Sequence, residues 1–187
     1  MKRPSSLIAS FTLVLFAFAP VPTGADANNE PGTFQLHIEV PNVSRAPSGD
    51  SVAVTGGGMF SVHPKSVVAS GTFMHTDSQG TVVGSGAWTA TDLLAFEFNG
   101  CGVLTFTDPD TPLPPNFCGG MLKMRVVLTP AGTTATLPGI LTVFCIVGPQ
   151  AHESHDEPSE EGVTLVVPGV ANFNEIVAGM NIYIRMS

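Results

Sequence analysis

The chain has 187 residues, with 7 basic and 15 acidic side chains and a formal charge of −8; only 12% of its residues are charged. An acidic surface without a basic cluster argues against nucleic acid and anionic membrane as partners, because both need Lys or Arg to neutralise phosphate. The length fits one domain with a proper core, and the low charge leaves the surface to Ser, Thr, Asn and Gly.

Met1, Lys2 and Arg3 precede an apolar run over residues 7–19. That run is shorter than the ~20 residues a bilayer span needs, and Pro20 and Pro22 break it. Ala25-Asp26-Ala27 then supplies the small-x-small pattern read by signal peptidase. Residues 1–27 are therefore expected to be a secretory signal peptide cleaved after Ala27, with Gly24-Ala25 as the neighbouring alternative. The expected location is extracytoplasmic, either secreted or periplasmic. Losing Lys2, Arg3 and Asp26 leaves 5 basic and 14 acidic side chains, a formal −9. No anchor is expected after cleavage. The next most apolar stretch, residues 137–147, is broken by Pro138 and Gly139 and has the length of a buried strand.

Residues 28–187 form the expected single domain. Phe34, Leu36, Ile38 and Val40 alternate with Gln35, His37 and Glu39, the period of a half-buried strand. Residues 41–50 form a Pro- and Ser-rich loop that carries the glycosylation sequon Asn42-Val43-Ser44. Residues 52–60 form a second strand containing Gly56-Gly57-Gly58, which suggests a bulge, a bend or a close backbone approach. No Lys follows these glycines as a phosphate loop would require. Residues 65–76 and 81–89 form a hairpin around the turn Asp77-Ser78-Gln79-Gly80. Val82, Gly84, Gly86 and Trp88 share one face of its second strand, as in a strongly curved sheet where a large ring covers bare backbone. Gly84-Ser85-Gly86 lacks the spacing of a nucleophile elbow.

Residues 91–98 alternate as a strand, although Asp92-Leu93-Leu94-Ala95 also fits a helical turn. A short strand at 103–107 leads into a Pro-rich loop over 108–118. Strands follow at 122–128 and 140–147. An acidic, histidine-bearing loop spans 149–161, a strand spans 163–167 and a closing strand spans 181–186. Residues 176–179 read as a turn or one helical turn. Roughly 8–10 short strands without a sustained helical period predict an all-β fold, a single antiparallel β-barrel or a strongly curved β-sandwich. The glycines within strands favour the barrel.

Three cysteines in an oxidising compartment allow one intramolecular disulfide. Cys101–Cys118 would staple the Pro-rich loop. The alternative is Cys118–Cys145, since a turn at Ala131-Gly132 would set those two across a hairpin; Pro138 interrupts that arm. If Cys101 pairs with Cys118, Cys145 is the expected free thiol, made inert by apolar surroundings.

Three places carry residue types with chemistry. His152, His155 and Asp156 gather metal-ligand types in the acidic loop, but with His-x-x-His spacing and flanking prolines rather than a helical pair. The plain reading there is a solvated acidic loop. His75 shares a strand face with Gly71 and Phe73 and would enter a pocket if that face lines a barrel. A rim histidine bonded to backbone is the plain alternative. Glu97, between Phe96 and Phe98, would act as an acid or base only if it entered a pocket; alternation places it in solvent. No constellation amounts to a catalytic site, and no cofactor or metal is expected. The expected function is non-enzymatic binding of a small apolar ligand or a macromolecular partner. The alternatives are a barrel enzyme using His75 and Glu97 as acid and base, and metal capture by the His152–His155 loop.

Overall fold

Alternating apolar residues build twelve strand segments in a computed structural model that describes residues 32–105, 109–151 and 161–186. They are β1 (Thr33–Arg45), β2 (Ser51–Ser61), β3 (Ser66–Thr76), β4 (Val82–Cys101), β5 (Val103–Leu104), β6 (Thr111–Pro112), β7 (Phe117–Pro130), β8 (Leu137–Cys145), β9 (Gly162–Val167), β10 (Ala171–Phe173), β11 (Glu175–Ala178) and β12 (Asn181–Arg185). All pairings are antiparallel. Six strands close a ring in the order β1-β2-β3-β4-β7-β12 and back to β1. The fold is all-β, as the strand pattern predicts.

The ring is forked at one end. Only Phe117 and Cys118 of β7 pair with β12, while residues 120–128 pair on the same edge with β8. Likewise β12 covers Phe34–Ile38 of β1, and β11 covers Val43–Arg45. The arm β8-β9-β10 then leans across the gap, with β9 packed on β1 and β11. The barrel is thus closed by a backbone ladder at the β12 end and only by side-chain contacts at the other.

The closed end is filled by rings. Phe34 stacks on Phe60 at 5.2 Å, and Phe96 meets Phe60 and Tyr183 edge-on at 4.8 and 5.4 Å. The middle is filled by Trp88. Successive register partners Ile38, Gly56, Gly71, Trp88 and Leu128 form one inward row across five strands. The indole of Trp88 lies over Gly56 and Gly71, and its Nε1–H donates to the Thr55 carbonyl at 2.9 Å. A Cβ built on either glycine would stand 2.7 Å from an indole atom. The sequence suggests Gly84 and Gly86 as the bare backbone beside this ring; the ring instead covers glycines on the two neighbouring strands. The space between Val54, Trp88, Leu141 and Leu165 is too small for a water molecule.

Several expected boundaries shift. Residues 82–101 form one strand, bent where its register with β7 slips at Ala90/Asp92, Leu93/Ala95 and Phe98/Gly100. A bend accommodates the local irregularity that resembles a helical turn in the sequence. Residues 175–178 are β11, and β10 is an additional short strand. Residues 41–45 belong to β1, beyond a slip between Ile38 and Asn42.

That slip places Asn42 inside. It is fully buried, and its Oδ1 accepts from Asn181 Nδ2 at 2.8 Å. Asn181 Nδ2 also donates to the carbonyls of Phe144 and Gly162 at 2.9 and 3.0 Å. Two asparagine side chains therefore serve backbone groups where β8, β9, β11 and β12 part company, the place where ladder bonds run out. The sequon is structural here and not an accessible loop site.

Candidate ligand site at the barrel mouth

A cavity of about 230 Å³ opens at the forked end of the barrel. Its walls include Val52, Phe73, Leu128, Leu165, Val167 and Phe173. These come from β2, β3, β7, β9 and β10, brought together because the arm leans over the mouth. Val83 and Val170 at its rim are more than half exposed. Apolar walls with few polar groups are the usual make-up of a small-molecule site.

Two of the lining residues have polar side chains, His75 and Ser85. Ser85 lies on the exposed side of β4, whereas His75 continues the inward row of Val67, Ala69, Gly71 and Phe73 on β3. His75 Nε2 lies 3.2 Å from Asp50 Oδ2, and its ring meets the Phe173 ring edge-on at 5.3 Å. Asp50 is supplied by the short turn between β1 and β2, closed by the Ala46 N–H donating to the Asp50 carbonyl at 2.8 Å. Opposite His75 in register stands Gly84, also in the cavity wall. A Cβ there would meet only the His75 Cβ, at 3.9 Å, so the glycine leaves free space beside the imidazole.

Glu97 lies elsewhere. It borders a separate depression of about 300 Å³ with Val62, His63, Lys65, Leu93 and Phe96. The structure therefore does not bring His75 and Glu97 together. His75 pairs with a carboxylate that the sequence does not single out, Asp50.

Cys101 and Cys118 are directly opposed on β4 and β7 and form the disulfide. The hairpin register pairs Cys145 with Gly120, two residues short of Cys118, because the turn is centred one residue later than the sequence suggests. Cys145 is the buried free cysteine, and its thiol donates to the Asn181 carbonyl at 3.1 Å. Burial first, and then the Glu161 carboxylate, push that thiol far above its ordinary range, so it holds its proton. Pro138 does stand within β8, but pairing with β9 begins only at Ile140, so it meets no ladder on that side.

Glu161 is a further, half-buried group. It accepts the Asn181 N–H at 2.7 Å, and burial raises its pKa above the ordinary value of 4.5. This seam of Asn42, Cys145, Glu161 and Asn181 joins strands and does not line the mouth.

His152, His155 and Asp156 lie outside the described residues, as does the N-terminal segment 1–27. Among the described residues no three His, Cys, Asp or Glu side chains gather as a metal site. No described helix is long and apolar enough to cross a membrane. The disulfide is compatible with an extracytoplasmic location. No family model, no curated protein and no solved structure matches this chain.

Proposed function

We propose that this chain is an exported, non-enzymatic β-barrel protein that binds a small apolar ligand at the forked mouth. The observation that carries the reading is the 230 Å³ cavity, apolar-walled and open, beside a Trp88 layer packed too tightly for water. An engineered apolar cavity of about 150 Å³ is enough to hold benzene. The mouth therefore suits a one- or two-ring molecule of about ten heavy atoms. At typical efficiencies for so small a ligand, affinity falls on the order of 10–100 µM. Export is supported by the N-terminal charge and apolar pattern and by the disulfide. Separation of His75 from Glu97 leaves the acid–base alternative without a shared cavity.

The test is a ligand-detected NMR screen of one- and two-ring aromatic and alicyclic compounds against the purified protein. At least one is expected to bind in the micromolar range. Gly84→Leu should abolish that binding, because its side chain grows into the cavity without striking backbone. A screen without hits, or binding unchanged in Gly84→Leu, overturns the reading.

A further inference from the structure

The mouth is not uniformly apolar, and its one inward polar group has a defined hydrogen-bonding state. A carboxylate oxygen only accepts, so the 3.2 Å contact with Asp50 Oδ2 requires the proton of His75 to sit on Nε2. In the uncharged imidazole the other nitrogen, Nδ1, is then a bare acceptor. Among the described residues nothing hydrogen-bonds to it. The Phe173 ring holds the imidazole from one side, and the space above Gly84 lies open on another. Asp50 thus acts as a tautomer lock on a histidine that lines the cavity among apolar walls.

We infer that the mouth selects a compact apolar molecule bearing one uncharged O–H or N–H donor, of the phenol or indole kind, over both the bare hydrocarbon and the carboxylate. This rests on the ligand-binding reading above and adds the class of ligand. The donor would satisfy Nδ1, while the ring would fill the space between Phe73 and Phe173. A carboxylate offers no donor to Nδ1 and would stand near the Asp50 charge, so it is disfavoured twice. A hydrocarbon would bury Nδ1 unpaired, which costs affinity relative to a donor-bearing analogue of the same shape.

Calorimetric titration with naphthalene, 2-naphthol and 2-naphthoate tests this at one ring size. The informative quantity is the ratio of naphthol to naphthalene affinity, because the ring contribution cancels. That ratio is expected to fall about tenfold from wild type to His75→Phe, the worth of one hydrogen bond to an otherwise unpaired acceptor. Asp50→Asn is the second variant, and it keeps the imidazole. Its amide no longer forces the proton onto Nε2, so the ratio is expected to fall there too, which decides the matter should His75→Phe not fold. An unchanged ratio in the folded variants overturns the donor assignment while leaving the cavity reading intact. Tightest binding by 2-naphthoate overturns it in favour of an anion site on a charged imidazole. No binding by any of the three to wild type removes the ligand-binding reading itself.

Discussion

Two glycine-to-alanine exchanges, Gly71→Ala and Gly84→Ala, put the inward row across the barrel to a direct test. Both positions lie on the β3–β4 ladder, both face inward, and both are paired in register with a larger side chain. Their surroundings differ. A Cβ on Gly71 would collide with the Thr55 carbonyl oxygen and stand 2.7 Å from both Gly56 Cα and Trp88 Nε1. The indole must move, and its 2.9 Å bond to Thr55 goes with it. Losing that bond costs about 1 kcal/mol. Overpacking adds about 1–3 kcal/mol. Removing a glycine from the unfolded chain returns about 0.5–1 kcal/mol. The net for Gly71→Ala is a loss of about 1–3.5 kcal/mol. Gly84→Ala meets nothing closer than 3.9 Å and should be neutral or stabilising by about 0.5 kcal/mol. Urea unfolding followed by the emission of Trp88, the sole tryptophan, measures both. The same emission reports whether the indole has left its site in folded Gly71→Ala. Should the two variants unfold within about 0.5 kcal/mol of each other, the tryptophan does not rest on Gly71 as described.

The disulfide closes a stretch with a sequence separation of 17. By loop-closure entropy, replacing both Cys101 and Cys118 with Ala should lower stability by about 3 kcal/mol in the same urea assay. A loss under about 1 kcal/mol would mean that the β4–β7 ladder already restrains the unfolded chain there. Glu161→Gln should alter the pH dependence of stability. Its raised pKa means the folded protein holds this proton more firmly than the unfolded chain. Glu161 therefore favours folding fully below its unfolded value and loses that contribution as pH rises through the folded pKa. Glutamine keeps an acceptor for the Asn181 N–H without the half-buried charge. Thermal midpoints of Glu161→Gln should gain on wild type as pH rises from 4.5 upward, and a constant difference across that range would contradict a desolvated charge.

Period-two alternation carries most of what the sequence says about this fold, and it carries it well. Phe34, Leu36 and Ile38 face inward, as do Leu122, Met124, Val126 and Leu128. Alternation assigns faces within a strand, but it is silent on which residue of the next strand stands opposite. The two errors of detail come from there. Counting outward from Ala131-Gly132 misplaces Cys145 by two residues against β7, and Gly84 and Gly86 look like the partners of Trp88 only when β4 is read alone. Asn42 fails for another reason. Pro41-Asn42-Val43-Ser44 has loop composition, yet tertiary demand at the fork overrides it: Asn42 and Asn181 are polar because strands separate around them, not because water reaches them.

The sequence shows only half of the mouth. His75 stands out in it as a polar residue in an apolar inward row. Asp50, Phe173 and Leu165 are 25, 98 and 90 residues from it in the chain, and no local pattern links them. What links them is a mismatch of lengths. β12 has 5 residues, whereas the strands it joins, β7 and β1, have 14 and 13. A closing strand that short can hydrogen-bond only one end of the ring, by the β12 pairings of Phe117–Cys118 and Phe34–Ile38. The remaining edge of β7 is left to β8, whose continuation through β9 and β10 must lean back over the opening to bury its own apolar face. Side-chain packing across such a gap does not have to fill it as a ladder does, and a cavity walled by Phe73 and Phe173 is what remains. Lengthening β12 would zip the fork and remove the mouth, so the shortness of this strand and the proposed ligand site are one property of this chain.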